Sequence, residues 1–429
     1  MPSEKRLKRI PLNQIDMSDE YLGTASLSPL TALWKNLKEF PKALSWSAAM
    51  SGILIVLISS TGPVAIMIQA AKAGHFSERQ TASWLFACWA GPGLMGLMMS
   101  LRFRIPVIAA WSTPSVALLV TGLATHKASE AVGAYFISSV LIFIVGATGL
   151  LEKILSVIPR PVIMAMLGGV LFEFGVNIFR TLPEEPIIST GMILGYFFAR
   201  RMGWRAPVIT SVIIGLILAI ISGKFHNPHI HAGIVHPVWM NPTFSISGLI
   251  TLAIPITLLT LTTQFAPGLA VLNAAGFRAP INQSLMFSGV LSFLTAGMLG
   301  SGVNSAAITA AIGSGEQAEP DKTRRYTAGV VCGIVYIIVG GLGATMLGLF
   351  GALPGAMLAS MAGLALLPAI ANSTHDALVD PQYREAALIT FLVTVSNIHP
   401  WKLGAPFWGL VAGFVVHYIV EYKNKRSSK

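Results

Sequence analysis

The amino-acid sequence predicts an all-α integral membrane protein of about fourteen transmembrane segments, arranged as two inverted repeats of seven. Of the 429 residues, 54% are hydrophobic and 11% are charged, whereas a soluble domain is about 25% charged. Apolar runs long enough to be membrane-spanning helices recur along most of the chain. The Lys and Arg residues concentrate in every second segment between the apolar runs, as the positive-inside rule requires. Together these three observations exclude a soluble fold.

Fourteen candidate spans can be counted, and the third and tenth are broken by glycine, proline and small polar residues. With the N-terminus inside, 23 of the 29 Lys and Arg residues lie in inside segments and six in outside loops. The net charge of +11 is therefore a topology signal rather than a sign of nucleic-acid binding, and both termini are expected in the cytoplasm. The approximate limits of the spans are 45–71, 80–101, 106–123, 131–151, 161–179, 186–200, 206–223, 246–275, 282–299, 300–313, 327–350, 354–371, 385–397 and 403–421.

An amphipathic helix is predicted before the first span. Ser28-Pro29 is typical of a helix start, because proline is well tolerated at the first helical position. The apolar residues that follow fall on one face, so we expect this helix to lie on the cytoplasmic membrane surface. That face comprises Leu30, Leu33, Trp34, Leu37 and Phe40.

The third span is predicted to be a short extended piece followed by a half-helix. Its β-branched run, Ile105–Ile108, favours extended structure, and Ser112-Thr113-Pro114 is typical of a helix start. The half-helix would direct its free N–H groups and positive dipole into the protein interior. The first span also contains a predicted kink, at Ser59–Pro63.

The tenth span is the counterpart of the third. It lies in the stretch Gly300–Tyr326, which is uncharged but interrupted by glycines in its first half and polar in its second. The sequences Thr61–Gly74 and Phe265–Gly276 resemble each other and stand seven spans apart, an odd number that gives the copies opposite orientations. Inverted repeats with paired broken segments indicate a transporter whose binding site lies near the membrane midplane.

The repeats divide the chain into alternating parts of a core domain and a gate domain. We expect a basic cytoplasmic tail at the C-terminus and a histidine-containing extracytoplasmic loop between the two halves. The predicted boundaries are 1–44 for the N-terminal tail and interfacial helix, 45–151 and 246–350 for the core, 152–224 and 351–421 for the gate, 225–245 for the loop and 422–429 for the tail.

Three motifs resemble the bacterial benzoate–proton symporter family. They are AWSTPSVALL (110–119), TQFAPGLAVLNAAGF (263–277), and NSAAITAAI with AEPDKTRRY (304–312 and 318–326). The resemblance covers roughly residues 45–420. It implies the fold of the uracil, xanthine and sulfate-type transporters, with fourteen segments in two inverted sevens and with a core and a gate domain. Proteins of this fold are often homodimers. The resemblance also implies the bacterial inner membrane as the location.

The chain departs from the usual family pattern at several positions. Phe265 stands where asparagine is expected, and Ser305 where leucine is expected. Ser115 replaces glycine, Gly313 replaces cysteine and Glu319 replaces histidine. The changes at Phe265, Ser305 and Ser115 are close to the expected site, so they bear on the identity of the substrate rather than on transport.

Candidate substrate-binding residues lie at the two broken segments and in the kinked eighth span. A small aromatic carboxylate needs N–H donors for its charge and an apolar wall for its ring. Gln264 is neutral where the related nucleobase permeases, by the resemblance, carry a substrate-binding carboxylate. A neutral amide suits an anion, which a fixed carboxylate would repel. The candidates for polar contacts are Ser112, Thr113, Ser301, Gly302, Gln264 and Asn304, and those for the ring wall are Trp111 and Phe265.

Close helix packing is the alternative role for these small polar residues. Glu173 is the acidic residue placed well inside a predicted span, which makes it a candidate for proton coupling. The alternative is a helix-end carboxylate paired with Arg180. His226, His229, His231 and His236 match no standard zinc-site spacing, so neither metal nor cofactor is expected.

The sequence therefore predicts proton-coupled import of a small organic anion, most simply benzoate or a similar aromatic carboxylate, by a protein that is not an enzyme. A permease for a nucleobase or an inorganic anion stays open within the same fold. An uncoupled anion channel and an intramembrane enzyme are the alternatives from other classes. The expected partners are the substrate, protons and membrane lipid.

Overall fold

The computed structural model describes residues 29–157, 159–204, 206–225, 233–306 and 309–421, and it is mostly helical. Two short strands, β1 (Ala109–Trp111) and β2 (Val303–Ser305), interrupt the helices. The helices are α1 (Pro29–Ala43), α2 (Trp46–Ala73), α3 (Glu78–Phe103), α4 (Thr113–Gly122), α5 (Ala128–Thr148), α6 (Leu151–Val157), α7 (Arg160–Arg180), α8 (Pro186–Arg201), α9 (Pro207–Ile221), α10 (Ile246–Ala274), α11 (Ile281–Ala296), α12 (Ala310–Ser314), α13 (Tyr326–Gly341), α14 (Gly343–Gly351), α15 (Gly355–Leu378), α16 (Arg384–Val395) and α17 (Ala405–Val416).

Within the described ranges, six helices are long and apolar enough to cross a membrane: α2, α3, α5, α7, α10 and α15. A seventh candidate is the pair α13–α14, which bends by 67°. The sequence predicted a single span over 327–350, and the structure instead breaks it at Leu342. Gly340, Gly341 and Gly343 flank the break, and glycine lowers the stability of a continuous helix.

The two broken segments meet in a two-stranded antiparallel sheet. Ala109 is paired with Ser305, Ala110 with Asn304 and Trp111 with Val303. The prediction of an extended piece followed by a short helix is confirmed for both segments. In the third segment the strand lies a few residues later than the predicted run Ile105–Ile108, which is irregular. The pairing holds both interruptions at one place in the protein.

The helices pack in two groups, and the sheet packs against α3, α10 and α11. In one group α3 packs against α13, α11 against α5, and α2 against α13 and α4. In the other group α7 packs against α15 and α16, α17 against α16, and α9 against α8. The groups touch where α2 contacts α15 and where α4 contacts α7. The division of the chain into a core domain and a gate domain stays a prediction.

Helix α10 contains two widened, π-helical turns, Leu249–Ala253 and Thr260–Phe265. Each turn is followed after one residue by a proline, Pro255 or Pro267. Proline lacks an N–H and crowds the preceding turn, so the local helix widens. The predicted kink before Pro267 is therefore a widened turn, and it contains Gln264.

Helix α1 begins at Pro29, as the sequence predicts, and packs against α3. The Asn36 Nδ2 donates to the Leu101 carbonyl at 2.6 Å. The predicted apolar face is divided in the structure, because Leu33 and Phe40 pack against protein whereas Trp34 and Leu37 are exposed. Apolar side chains exposed beside lysines fit a helix at a membrane surface.

Three basic residues before α13 each bind a carbonyl at the end of another helix. The Lys322 Nζ donates to Gly276 O, just beyond α10, at 2.7 Å. The Arg324 Nε donates to Ala43 O, at the end of α1, at 2.9 Å. Arg325 is buried and donates to Ser314 O, at the end of α12, and to two further carbonyls of its own loop. Helix C-termini carry partial negative charge, so these contacts join the loop to three helices.

Candidate substrate site at the paired broken segments

Ser112 caps the N-terminus of α4, as the sequence predicts. Its Oγ accepts from the Ser115 N–H at 3.3 Å and from the Ser115 hydroxyl at 2.6 Å. The Ser112 N–H donates to the Ser301 carbonyl at 3.1 Å, which extends the contact between the broken segments by one residue beyond the strands. Both serine side chains are therefore occupied in positioning α4.

Few N–H groups remain free at the start of α4. Pro114 has none, Ser115 is capped by Ser112, and Val116 donates to the Ser112 carbonyl at 3.1 Å. Thr113 is the remaining donor of the first turn, and it is partly exposed. The expectation of a helix end with several free donors thus reduces to the N–H and hydroxyl of Thr113.

Ser301 is fully occupied by contacts within the protein. Its Oγ accepts from the Trp84 Nε1–H at 2.9 Å and lies 3.2 Å from the Cys88 Sγ. Its carbonyl accepts from Ser112. The bonds to Trp84 and Cys88 connect the segment before β2 to α3. Ser301 therefore has a packing role, which is the alternative to substrate binding considered in the sequence analysis.

Asn304 is completely buried in β2 and has an unused acceptor. Its Nδ2 donates to the Gly302 carbonyl at 3.2 Å, and its Oδ1 has no partner among the described residues. Its neighbour in the sheet, Ala110, is partly exposed and shares its face, because directly opposed residues point to the same side. Gly302 has φ +74°, a left-handed conformation that favours glycine.

The sequence analysis missed Thr260, whose hydroxyl is buried without a partner in the described part of the chain. A Cβ on Gly302 would lie 3.9 Å from the Thr260 Oγ1, so the hydroxyl faces the turn before β2. Thr257, Thr262 and Thr263 each donate to the carbonyl four residues earlier, which Thr260 does not. Buried polar groups rarely stay unpaired, so these two oxygens near one turn are candidates for contacts with a ligand or with water.

Gln264 follows Thr260 by four residues on α10, which places both on one side of the helix. Its side chain is partly buried. Phe265 is completely buried in an apolar cluster with Ala109 and Val303. Trp111 is buried in a different cluster, so the structure does not bring the two predicted wall residues together.

The model of the benzoate membrane transport protein family matches residues 42–419. The chain belongs to this family. It is 37% identical over 391 residues to the benzoate membrane transport protein of Acinetobacter baylyi, a match that covers 91% of the chain and 98% of that protein. It is 36% identical over 372 residues to the inner membrane protein YdcO of Escherichia coli, covering 87% of the chain and 95% of YdcO.

Two solved structures share the fold of this family member. The transmembrane domain of the cyanobacterial bicarbonate transporter BicA aligns with a TM-score of 0.57 at 15% identity, over 86% of the chain and 96% of that domain. The murine anion transporter Slc26a9, in its inward-facing state, aligns with a TM-score of 0.56 at 12% identity, over 97% of the chain and 74% of that protein.

Glu173 lies on α7, outside the two broken segments. It forms an ion pair with Arg180, seven residues later on α7, and both side chains are more than half exposed. This geometry is the alternative that the sequence left open, a helix-end carboxylate with a local partner. Its role in proton coupling stays a prediction for this member of the benzoate membrane transport protein family.

The histidine-rich loop is described only in part. His226, His229 and His231 lie outside the described residues, and His236 is exposed. In the ranges that are described, no three His, Cys, Asp or Glu side chains form a group that could hold a metal ion.

Proposed function

We propose that this chain imports benzoate, or a similar aromatic carboxylate, across the bacterial inner membrane together with protons. Its family membership supports the substrate class, and so does the printed name of its A. baylyi relative. The observation that carries the proposal is a pair of buried oxygens, of Thr260 and Asn304, that have no partner within the described ranges and lie beside the paired broken segments.

The proposed site has donors for the carboxylate on two elements. The Thr260 hydroxyl and the amide of Gln264 come from the widened turn of α10, and Asn304 has a second amide hydrogen on β2. Thr113 adds a donor at the start of α4. No Asp, Glu, Lys or Arg belongs to this set, so the anion would be held by neutral dipoles. Of the predicted set, Ser301 and Ser112 would position the others, and Gly302 would let the backbone approach Thr260.

The ring of the substrate needs an apolar wall. Trp111 ends β1 next to the cap of α4, which supports it as the wall on that side. Phe265 follows Gln264 and packs against the residues that flank Ala110 and Asn304. In the proposal it supports the sheet from behind, and a direct contact with the ring would need movement of its side chain.

The proposed architecture is fourteen segments in two inverted sevens, with a core domain that carries the site and a gate domain that contacts it. The antiparallel pairing of β1 with β2 supports an inverted relation, because each strand precedes a short helix. The charge distribution supports cytoplasmic termini. A homodimer and a direct role of membrane lipid remain part of the same proposal.

Uptake into proteoliposomes tests the proposal. Protein-containing vesicles should accumulate labelled benzoate against its gradient when the inside is alkaline, and an uncoupler should abolish the accumulation. Protein-free vesicles are the control, because neutral aromatic acids cross bilayers unaided. Uncoupled current without saturation would indicate a channel. Thermal stabilisation of the purified protein by uracil or bicarbonate, but not by benzoate, would indicate another substrate, since a ligand that binds the folded state raises its apparent stability.

A further inference from the structure

Helix α1 lies against the ends of two helices that are long and apolar enough to cross a membrane. It ends at Ala43, shortly before the first of them, α2, begins at Trp46. On its inner side the Asn36 Nδ2 donates to the carbonyl of Leu101, in the last turn of the second, α3. Because α2 starts where α3 ends, both contacts place α1 at one surface of the membrane.

The residues of α1 form three stripes, each with members three or four residues apart, so that each occupies its own side of the helix. The inner stripe packs against the protein. The other two point away from it, one apolar and one basic, and they lie side by side. The inner stripe is Ala32, Asn36, Phe40 and Ala43, the apolar stripe is Trp34, Leu37 and Pro41, and the lysine stripe is Lys35, Lys38 and Lys42.

The apolar stripe continues into the exposed surface of α2. Trp34 is 63% exposed and Leu37 41%, and Trp46 and Met50 of α2 are exposed as well. Tryptophan is favoured at the level of the lipid headgroups, and the apolar face of an interfacial helix lies at the boundary between headgroups and acyl chains. Since α2 enters the membrane here, lipid is the natural surrounding of this stripe.

The lysine stripe has no acidic partner in the described ranges. The one acidic residue of α1, Glu39, is paired with Arg104 at 2.8 Å, and none of the three lysines forms an ion pair with a described residue. A second copy of the chain would bring the same lysines and be repelled. The complementary partner is a layer of phosphate groups above apolar chains, which is the surface of an anionic phospholipid bilayer.

Two contacts connect α1 to the elements of the proposed transport site. The Arg324 Nε donates to the Ala43 carbonyl at 2.9 Å, and Lys322 of the same loop binds the carbonyl just beyond α10. Arg104, which binds Glu39, follows α3 and opens the segment that leads into β1. A displacement of α1 would therefore change contacts that hold α10 and the first broken segment.

We propose that the exposed face of α1 binds anionic phospholipids, and that this binding holds α1 where it supports the transport site. The lysine stripe contacts the phosphate groups, and the Trp34 and Leu37 side chains lie among the upper parts of the acyl chains. The lysine stems extend along this apolar boundary and keep their charged ends in the headgroup layer. The second part of the inference rests on the proposed transport of an aromatic carboxylate, whereas the lipid surface itself does not.

Quenching of Trp34 fluorescence by brominated lipids tests the lipid surface in reconstituted, full-length protein. The chain has nine tryptophans, so the Trp34 signal is the difference between the unmodified protein and Trp34→Phe. Brominated phosphatidylglycerol should be preferred over brominated phosphatidylcholine by about fivefold or more, the preference that one lysine near the surface would provide. Joint replacement of Lys35, Lys38 and Lys42 by glutamine should reduce the preference to about one, since the neutral side chains no longer attract phosphate.

Two controls make this result specific. Joint replacement of the same three lysines by arginine keeps the charge and should keep the preference. Arg200→Gln combined with Arg201→Gln removes charge from the exposed end of α8 and should also keep it. The triple glutamine variant should unfold at the same temperature as the unmodified protein in neutral detergent, because its three substitutions are exposed.

Benzoate uptake tests the link to transport. Vesicles with more phosphatidylglycerol repel benzoate from both proteins equally, so the readout is the uptake rate of the unmodified protein divided by that of the triple glutamine variant. This ratio should rise with the phosphatidylglycerol fraction. A ratio that stays constant, together with the expected quenching, would overturn the link between lipid binding and the transport site.

The quenching result stands apart from the proposed function. A preference near one in the unmodified protein, or one that the triple glutamine variant retains, would overturn the lipid surface. A Trp34 signal that neither brominated lipid quenches would also overturn it and would leave a second copy of the chain as the occupant. The expected quenching together with no protein-dependent benzoate uptake would support the lipid surface and contradict the proposed function.

Discussion

Ala110 lies directly opposite Asn304 in the β1–β2 pair, so one residue from each broken segment projects from the same face of the sheet. Asn304 is completely buried, and its Oδ1 has no partner in the part of the chain that the structure describes, whereas Ala110 is partly exposed. The small side chain of Ala110 therefore leaves room beside the Asn304 amide, whose oxygen makes no hydrogen bond to the described residues. Thr260 and Gln264 on the widened turn of α10 complete the proposed surroundings of the anion.

Thr260→Val removes the unpartnered hydroxyl while keeping the shape of the side chain. The melting temperature should stay the same or rise slightly, because a buried hydroxyl without a partner is unfavourable. If this hydroxyl binds the substrate, kcat/KM for benzoate should fall about tenfold, the value of one hydrogen bond to a charged group. Thr260→Ser, which keeps the hydroxyl, is the matched control. Full activity in Thr260→Val would remove Thr260 from the site.

Ser301→Ala tests a structural role at the same segment. The Trp84 Nε1–H would lose its acceptor in a buried setting, which should lower the free energy of unfolding by about 1–3 kcal/mol. Thermal unfolding in detergent measures this loss, and the KM for benzoate should stay close to that of the unmodified protein. A large rise in KM with unchanged stability would show instead that Ser301 contacts the substrate.

Gly302→Ala tests the left-handed turn before β2. At φ +74° an added Cβ costs about 1–2 kcal/mol of backbone strain, although the nearest side-chain atom is 3.9 Å away. The strain should shift β2 and reduce transport more than it reduces stability. Gly351→Ala is the control, because that glycine has open space around it and no positive φ. Equal effects of the two substitutions would argue against a special role for Gly302.

Arg325→Ala should destabilise the protein more than any of these changes. It removes three hydrogen bonds from a buried guanidinium to the carbonyls of Ser314, Glu319 and Pro320. We expect a loss of about 2–4 kcal/mol in the free energy of unfolding, since bonds to charged groups are stronger than neutral ones. Arg201→Ala, at an exposed helix end, should change stability by less than about 0.5 kcal/mol. Similar melting temperatures for the two variants would contradict the capping role of Arg325.

The sequence predicted the broken segments well because their signals are local. Ser112 followed by Pro114 is a capping pattern, and the structure places Ser112 at the cap of α4. The register that pairs Ala110 with Asn304 could not be predicted, because it depends on contacts between residues almost two hundred positions apart. The contacts of the Ser301 hydroxyl with Trp84 and Cys88 could not be predicted for the same reason.

Thr260 was missed as a candidate because threonines in membrane helices usually donate to their own helix, as Thr262 and Thr263 do. The signal available in the sequence was the spacing of four residues between Thr260 and Gln264, which places both on one side of a helix. The widened turn that contains Thr260 follows from Pro267, but the sequence alone does not distinguish a widened turn from a kink.

The most direct test of the proposed site is uptake of benzoate by Gln264→Glu, compared with the unmodified protein and with Gln264→Ala, from about pH 5 to 8. A carboxylate at this position would repel an anionic substrate in a low-dielectric site unless it binds a proton, which is easier in acid. We expect uptake relative to the unmodified protein to fall at least tenfold at neutral pH and to recover partly in acid. Gln264→Ala should lose about 1–3 kcal/mol of binding free energy with no such recovery. Uptake by Gln264→Glu that equals that of the unmodified protein over the whole range would show that Gln264 does not face the anion, and it would contradict the proposed site.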